Sequence, residues 1–314
     1  MIINEPLYPD ICMLPWEKAL FQTRSVKRLK YLAHYGAGSL VSPVTHSRFE
    51  HTVGVWKLTV WFFHEDRALR AAAILHDIGH LPFSHAVERT LGYNHHELTE
   101  KLIQSEEICT ILRDNKIRVE DVVACLNQEN GLTGTRDIIG LDHVDSFFRD
   151  MYMMGGLNRL PKEVLPFMKC TKAGVEADET TSSFIMDCMV NDHRLFLSPL
   201  LLAADQLLAK AVHRYCETYN DASIHLLTDD ELLSVLKQSQ IKEVEELLDV
   251  LLYRTETLSF SETLTGEGLL LNVKKIYNKA PLYNGKSYVE TNDGTMKIRQ
   301  LQKLEKTYTV KWKR

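Results

Sequence analysis

The apolar positions of this chain fall mostly into runs of helical length. Over 53–63 they are almost continuous, with Trp56, Leu58, Val60, Trp61 and Phe62 among them. The stretch 67–78, RALRAAAILHDI, is rich in alanine and leucine and apolar on nearly every face. That pattern predicts a helix buried on most sides. Gly79 and Pro82 stop it. Asn94 is placed to cap the next helix, which the spacing carries through HHELTEKLIQSEEICTILRD as one element. Further helices are predicted over 142–154, 184–190, 199–219 and 229–253, the last opening at Thr228-Asp229-Asp230.

The pattern changes after Arg254. Gly266, Gly268, Pro281, Gly285 and Gly294 divide the chain into short pieces. Strands are predicted over 269–276, 287–291 and 307–312, with Asn292-Asp293-Gly294 as a turn. The polar segment 171–181 reads as an exposed loop. The expectation is a mainly α protein: a helical body over 1–255 and a small α+β C-terminal region over 256–314.

Composition narrows the class. The 314 residues are 45% apolar and 25% charged, which excludes a largely disordered chain. Net charge is −5, against a globally basic nucleic-acid binder. No apolar stretch reaches the roughly 18 residues of a membrane span, and no signal peptide is read at Met1–Pro6. The six cysteines make no CxxC clamp and read as small buried hydrophobes of a cytoplasmic protein. One basic stretch, 297–314, carries Lys297, Arg299, Lys303, Lys306, Lys311, Lys313 and Arg314 with Tyr308 and Trp312 interleaved. It fits a nucleic-acid surface, but a solvated edge strand guarded by lysines is the favoured reading.

Thirteen histidines are present, and several crowd between His46 and His96. HSRFEHTVGV supplies Arg48 and His51, LHDIGHLPFSH supplies His76 and Asp77, and GLDHVDSFFRD supplies Asp142. Two imidazoles and two carboxylates suit Mn, Fe, Ni, Zn or Mg rather than a thiolate-loving metal. His76 and Asp77 end an otherwise apolar helix, where unpaired polar groups would be costly, so a partner must satisfy them.

In this order, these motifs make the chain similar to the HD-domain phosphohydrolases. Within them it most resembles the deoxynucleoside triphosphate triphosphohydrolase branch, over roughly residues 4–255. The resemblance implies an HD-domain helical bundle and one divalent or transition metal ion held by His51, His76, Asp77 and Asp142. It also allows a second Mg arriving with nucleotide phosphates. It implies hydrolysis of a (d)NTP to nucleoside plus triphosphate by a metal-activated water. Catalytic roles fall on His96, Glu88 and His80, with His96 and Glu88 matching an acid/base pair. Substrate contacts fall on Arg48, His34, His85, Ser146, Asp150, His193 and Arg194. The partners implied are a nucleotide or phosphoester and further copies of the chain, as a dimer or larger homo-oligomer.

Three positions depart from the branch. His34 stands where a glutamine meets the sugar, Ser146 where a tyrosine stands, and a second tyrosine is missing near HRLFLSP. These leave open another phosphoester substrate (a ribonucleotide, a nucleoside monophosphate, a cyclic or oligonucleotide) or a silent nucleotide-binding protein. His46 and His64 are expected to have no chemical role, and His95 to be a surface residue at a helix entry. Asp145 reads as a solvated helix charge and Arg149 as a structural ion pair.

Overall fold

The computed structural model describes residues 5–220, 223–263, 268–273 and 276–313. The calls made above on Met1–Asn4, Gly266 and Arg314 lie outside them. The first helices are α1 (Pro15–Gln22), α2 (Arg24–Arg28), α3 (Arg48–Phe62) and α4 (Arg67–Leu75). Four short ones follow: α5 (His85–Leu91), α6 (His95–Ile103), α7 (Glu106–Asp114) and α8 (Val119–Asn127). Next come α9 (Leu141–Met153), α10 (Pro161–Val164) and the hairpin of β1 (Met168–Thr171) with β2 (Gly174–Ala177). The long pair α11 (Glu179–Phe196) and α12 (Pro199–Tyr219) leads into α13 (Asp229–Lys237) and α14 (Lys242–Tyr253). The rest is β3 (Leu258–Ser261), β4 (Leu269–Asn272), β5 (Leu282–Tyr283), β6 (Lys286–Ser287), α15 (Asn292–Gln302) and β7 (Thr307–Trp312). The mainly α expectation holds, with the strands forming two small sheets.

Four apolar clusters are found among the described residues, and three of them hold most of the helices. One gathers α1, α3, α4, α7 and α8 around Trp56, Ile74, Leu112 and Val122. A second packs α9 against α11 and β2 through Phe148, Met186 and Val175. A third joins α5 and α12 to α13 and α14 through Val87, Leu208 and Leu247. Among the described residues, no single helix is long and apolar enough to cross a membrane; α11 and α12 pass that test only as a pair bent by 55°.

Several predicted elements come out differently. The segment 171–181 is no exposed loop: most of it is the β1–β2 hairpin and the start of α11, with Val175 fully buried. Its Asp178 caps α11 by accepting from Thr181 N. Asn292-Asp293-Gly294 opens α15 instead of making a turn, because Thr291 Oγ1 accepts from Gly294 N at 3.0 Å. The helix over 95–114 is broken at Gln104-Ser105, and that over 229–253 at Ser239–Ile241, where Gln240 has φ 56°. The 269–276 strand ends at Asn272, and 287–291 is mostly a single 3₁₀ turn. β7 lies between β3 and β4, so the basic strand is central and not an edge. Its neighbour Lys297 is buried, with Nζ bonded to Ser183 and paired with Asp187 and Asp293. Of the cysteines only Cys188 is buried; Cys12 is exposed and the others are intermediate.

One buried polar knot fixes the scaffold of the first core. Glu17 is fully buried. Its Oε1 accepts from Trp56 Nε1 at 2.8 Å and from Arg70 Nε at 2.8 Å, and its Oε2 accepts from Leu14 N at 2.8 Å. The knot therefore ties α1 to both α3 and α4, which carry the candidate ligands. Glu17→Ala would leave the Arg70 guanidinium buried and unpaired. It is expected to destabilise the fold by about 3–5 kcal/mol, read from the shift in urea midpoint.

Candidate metal centre and phosphoester cavity

Ser47 begins α3 with a capping box: its Oγ accepts from Glu50 N, and Glu50 Oε2 accepts from Ser47 N at 2.7 Å. That start puts Arg48 and His51 one turn apart on one face. α4 ends at Leu75, so His76 is its C-cap residue and Asp77 lies in the turn beyond. Gly79 in that turn has no room for a side chain, since a Cβ would overlap the backbone of His95 and Thr99. α9 supplies Asp142 in its first turn, and Asp145, Ser146, Arg149 and Asp150 at helical spacing behind it.

Here the predicted ligands meet. His51 Nε2 lies 3.2 Å from His76 Nε2 and 3.0 Å from Asp142 Oδ1, and His76 Nε2 lies 3.6 Å from that oxygen. Asp77 Oδ1 is 3.5 Å from His76 Nε2. The other ring nitrogens are spoken for. His51 Nδ1 donates to Asp145 Oδ2 at 2.8 Å, and His76 Nδ1 donates to Ala73 O at 2.9 Å. In the neutral rings both Nε2 atoms therefore carry lone pairs, and they face each other and a carboxylate oxygen. Three acceptors so placed fit a shared cation. A histidine whose second nitrogen is anchored to a carboxylate or carbonyl is the usual form of a metal-bound imidazole.

Without a metal, a proton takes that place. Burial lowers the His51 imidazolium, but its hydrogen bonds to Asp142 and Asp145 outweigh this and hold it at about 9. Despite burial, His51 lowers Asp142 below the usual carboxylate range, and Arg149 and His51 bring Asp145 down to about 2. Asp145 is fully buried and bonded to Arg149 at 2.9 and 3.0 Å, so it is no solvated helix charge. The expected Arg149 ion pair is the one with Asp145 and Glu5.

A cavity of about 860 Å³ opens from these ligands. It takes in His34, Arg48, His80, His85, His96, Ser146, Asp150 and His193, all named from the sequence. Arg48 Nη1 donates to Asp77 Oδ2 at 2.6 Å and Nε to Ser84 Oγ at 2.7 Å. Glu88 stands behind the wall, accepting from His85 Nδ1, His95 Nδ1 and His95 N. Burial would raise its carboxyl, but these bonds hold it far below its ordinary value. Burial pushes the His80 imidazolium well down, and burial with the adjacent His95 also lowers His96. Arg194 stays outside the cavity, bonded to Asn191 and Gln300 on the surface.

Other residues join the site that the pattern did not single out. His95 lines the cavity and stacks on His80 at 4.1 Å; it is not a surface residue. His46 is buried, with Nε2 2.6 Å from Asp150 Oδ1. Asp192, His143, Tyr277 and Lys279 also line the wall. Asp145 lies three residues after Asp142 on one helical face, a spacing that a solvated helix charge shares, so the sequence carried no signal that set it apart.

The HD domain family model matches residues 48–144, a stretch that runs from Arg48 to just beyond Asp142. An uncharacterized protein of Methanocaldococcus jannaschii is 26% identical over 236 residues, covering 70% of this chain and 51% of its own. The chain spans about half the length of the first curated relatives it matches. The deoxynucleoside triphosphate triphosphohydrolase SAMHD1 homolog of Dictyostelium discoideum is 24% identical over 319 residues, covering 87% of this chain and 58% of that one. A crystal structure of a phosphohydrolase from Bacteroides thetaiotaomicron superposes with a TM-score of 0.76 over 100% of both chains at 17% identity, a likeness of fold.

The anchor of His51 gives a test. Gly54 faces the Asp145–Arg149 pair so closely that a Cβ would overlap both side chains. Gly54→Ala should push Asp145 off His51 Nδ1. Metal affinity, followed by titration of the apo-protein, is expected to fall about 10–100-fold, the usual effect of losing a partner behind a ligand.

Proposed function

We propose that this protein is a metal-dependent phosphohydrolase acting on nucleotides, with hydrolysis of a (d)NTP to nucleoside plus triphosphate as the leading reaction. The observation that carries this reading is the facing pair of His51 and His76 lone pairs, backed by Asp142 and opening into a nucleotide-sized cavity. A divalent or transition ion held by His51, His76, Asp77 and Asp142 would stabilise charge on a phosphate oxygen and lower the pKa of a water. Arg48 spends Nη1 and Nε within the protein, which aims the guanidinium and leaves Nη2 for phosphate. Burial lowers the pKa of His96, so the free ring is a base; it would take up a proton from solvent as the phosphate charge arrives and pass that proton to the leaving oxygen. Glu88, with its oxygens bonded to His85 and His95, would position those rings and share with His96 the acid/base work at the leaving oxygen. The free cysteines support the cytoplasmic setting, and homo-oligomeric assembly stays part of the reading.

A second reading, a substrate with a single phosphoryl group, is favoured by charge. The cavity lining carries Arg48, Arg136 and Lys279 against Asp77, Glu100, Asp142, Asp150 and Asp192. A divalent ion on Asp77 and Asp142 would bring the two signs level, and a triphosphate would then add more unmatched negative charge to the cavity than a monophosphate.

A metal-supplemented screen of nucleoside tri-, mono- and cyclic phosphates, with products resolved by chromatography, separates the two. Release of intact triphosphate supports the first; turnover of monophosphates alone supports the second. No turnover with any metal removes both. Whichever substrate is used, His96→Ala should keep its metal and lose about 10²–10⁴-fold in turnover, and loss of metal would place His96 among the ligands instead. Because Ser146 leaves room beside the sugar, ATP and dATP should differ by about tenfold or less in kcat/KM. A thousandfold preference for dATP would show that another residue excludes the 2′-hydroxyl.

A further inference from the structure

Phe83 and Ser84 both take the left-handed backbone conformation, with φ 53° and 56°. Residues other than glycine seldom adopt it, and it persists only where the surroundings over-determine it. Two such residues in succession, in the loop between His80 and His85, call for something that holds them.

The holder comes from far along the chain. Asp229, the first residue of α13, accepts from Phe83 N through Oδ1 at 2.7 Å. Its other oxygen, Oδ2, accepts from Ala33 N at 2.7 Å. One carboxylate thus clamps the loop that carries His34 to the loop that follows His80. Arg28 ties the same place again, donating from Nη1 to His80 O at 2.8 Å and from Nη2 to Leu227 O at 2.6 Å. Gly36 lets the two loops close up, since a Cβ there would sit 2.9 Å from Phe83 O.

The clamped turn has a job on its other side. Ser84 Oγ donates to Ala33 O at 3.1 Å and accepts from Arg48 Nε at 2.7 Å. Arg48 then donates to Asp77 Oδ2 at 2.6 Å. Ser84, Arg48, Asp77 and Asp229 are 2%, 4%, 6% and 8% exposed, so water does not readily substitute for these bonds.

We propose that Asp229 is a positioning residue for the metal-binding half of the cavity: it holds the strained Phe83–Ser84 turn, and the Ser84 hydroxyl so fixed sets Arg48 against Asp77. Asp229 lies outside the HD domain match at residues 48–144, so a later helix sets the geometry of that domain's site. Both oxygens are needed. An asparagine offers one acceptor, and its amide group would face the second N–H.

The test is calorimetric titration of the apo-protein with Mn²⁺ for wild type, Asp229→Asn and Ser84→Ala, each checked for cooperative unfolding in urea. Both variants are expected to bind Mn²⁺ about 10–100-fold more weakly than wild type while still folded. Asp229→Glu, which keeps two acceptors, should recover part of the loss. Wild-type Mn²⁺ affinity in folded Asp229→Asn would overturn the proposal, even if that variant unfolds earlier, because the residue would then be only structural. If Asp229→Asn does not fold, Ser84→Ala decides alone, and wild-type affinity there is the overturning result. The titration needs no substrate, so failure to find a hydrolysed nucleotide would strike the function proposed above and leave this result standing.

Discussion

Three acceptor atoms facing one another within 3.0–3.6 Å repel unless a cation sits among them, and the rest of the site is built to hold His51 Nε2, His76 Nε2 and Asp142 Oδ1 in that arrangement. The arrangement is not a local accident of one helix. His51 comes from the first turn of α3, His76 from the end of α4, and Asp142 from the first turn of α9. Each ring is prevented from turning away by a bond at Nδ1, one to a carboxylate and one to a backbone carbonyl. A proton or a metal ion can relieve the repulsion, and they compete for the same nitrogen, since a metal ligand must be deprotonated. The carboxylates around His51 are what make either occupant favourable.

Those carboxylates need support of their own, because a buried charge without a partner is strongly unfavourable. α9 answers this through its period. Asp142, Asp145 and Arg149 lie three and four residues apart and share a face, so Asp145 lies between His51 and Arg149. Arg149 reaches Glu5, which lies outside the matched family segment. Gly54 on α3 leaves the space into which Asp145 and Arg149 fit. The chain from His51, a candidate ligand, to the scaffold is therefore continuous: ring, carboxylate, guanidinium, second carboxylate.

The sequence pattern revealed the parts of this that depend on local order. His76 and Asp77 announce themselves as polar residues ending an alanine-rich apolar helix, and the Asn94 cap and the extent of α9 follow from near neighbours. Asp145 was not legible in the same way, since an aspartate one turn along a helix looks like a solvated charge until the facing helix is known. His95 was missed because its partner Glu88 is seven residues away across a turn. Asn292-Asp293-Gly294 suits both a turn and a first helical turn, and the Thr291 cap decided it. The place of β7 between β3 and β4 rests on pairing with segments about forty to fifty residues distant, which composition does not encode.

Among the ways the residues beyond 255 bear on the site is a short backbone connection. Ala280 O accepts from Ile139 N at 3.0 Å, and Ala280 N donates to Asp137 O at 3.2 Å. The next residue along is Gly140, the N-cap position of α9, two residues before Asp142. Pairing at 137–139 therefore fixes the start of the helix whose first turn carries Asp142, a candidate metal ligand. The same segment presents Tyr277 and Lys279 to the cavity. Its next residues pair β5 with β2, and β2 leads directly into α11, which carries Asp192 and His193. The late segment is thus bonded both to the residues that lead into α9 and to the strand that leads into α11. A displacement of β5 would be felt at Asp142 through α9 and at His193 through α11, without any residue of the matched segment being altered.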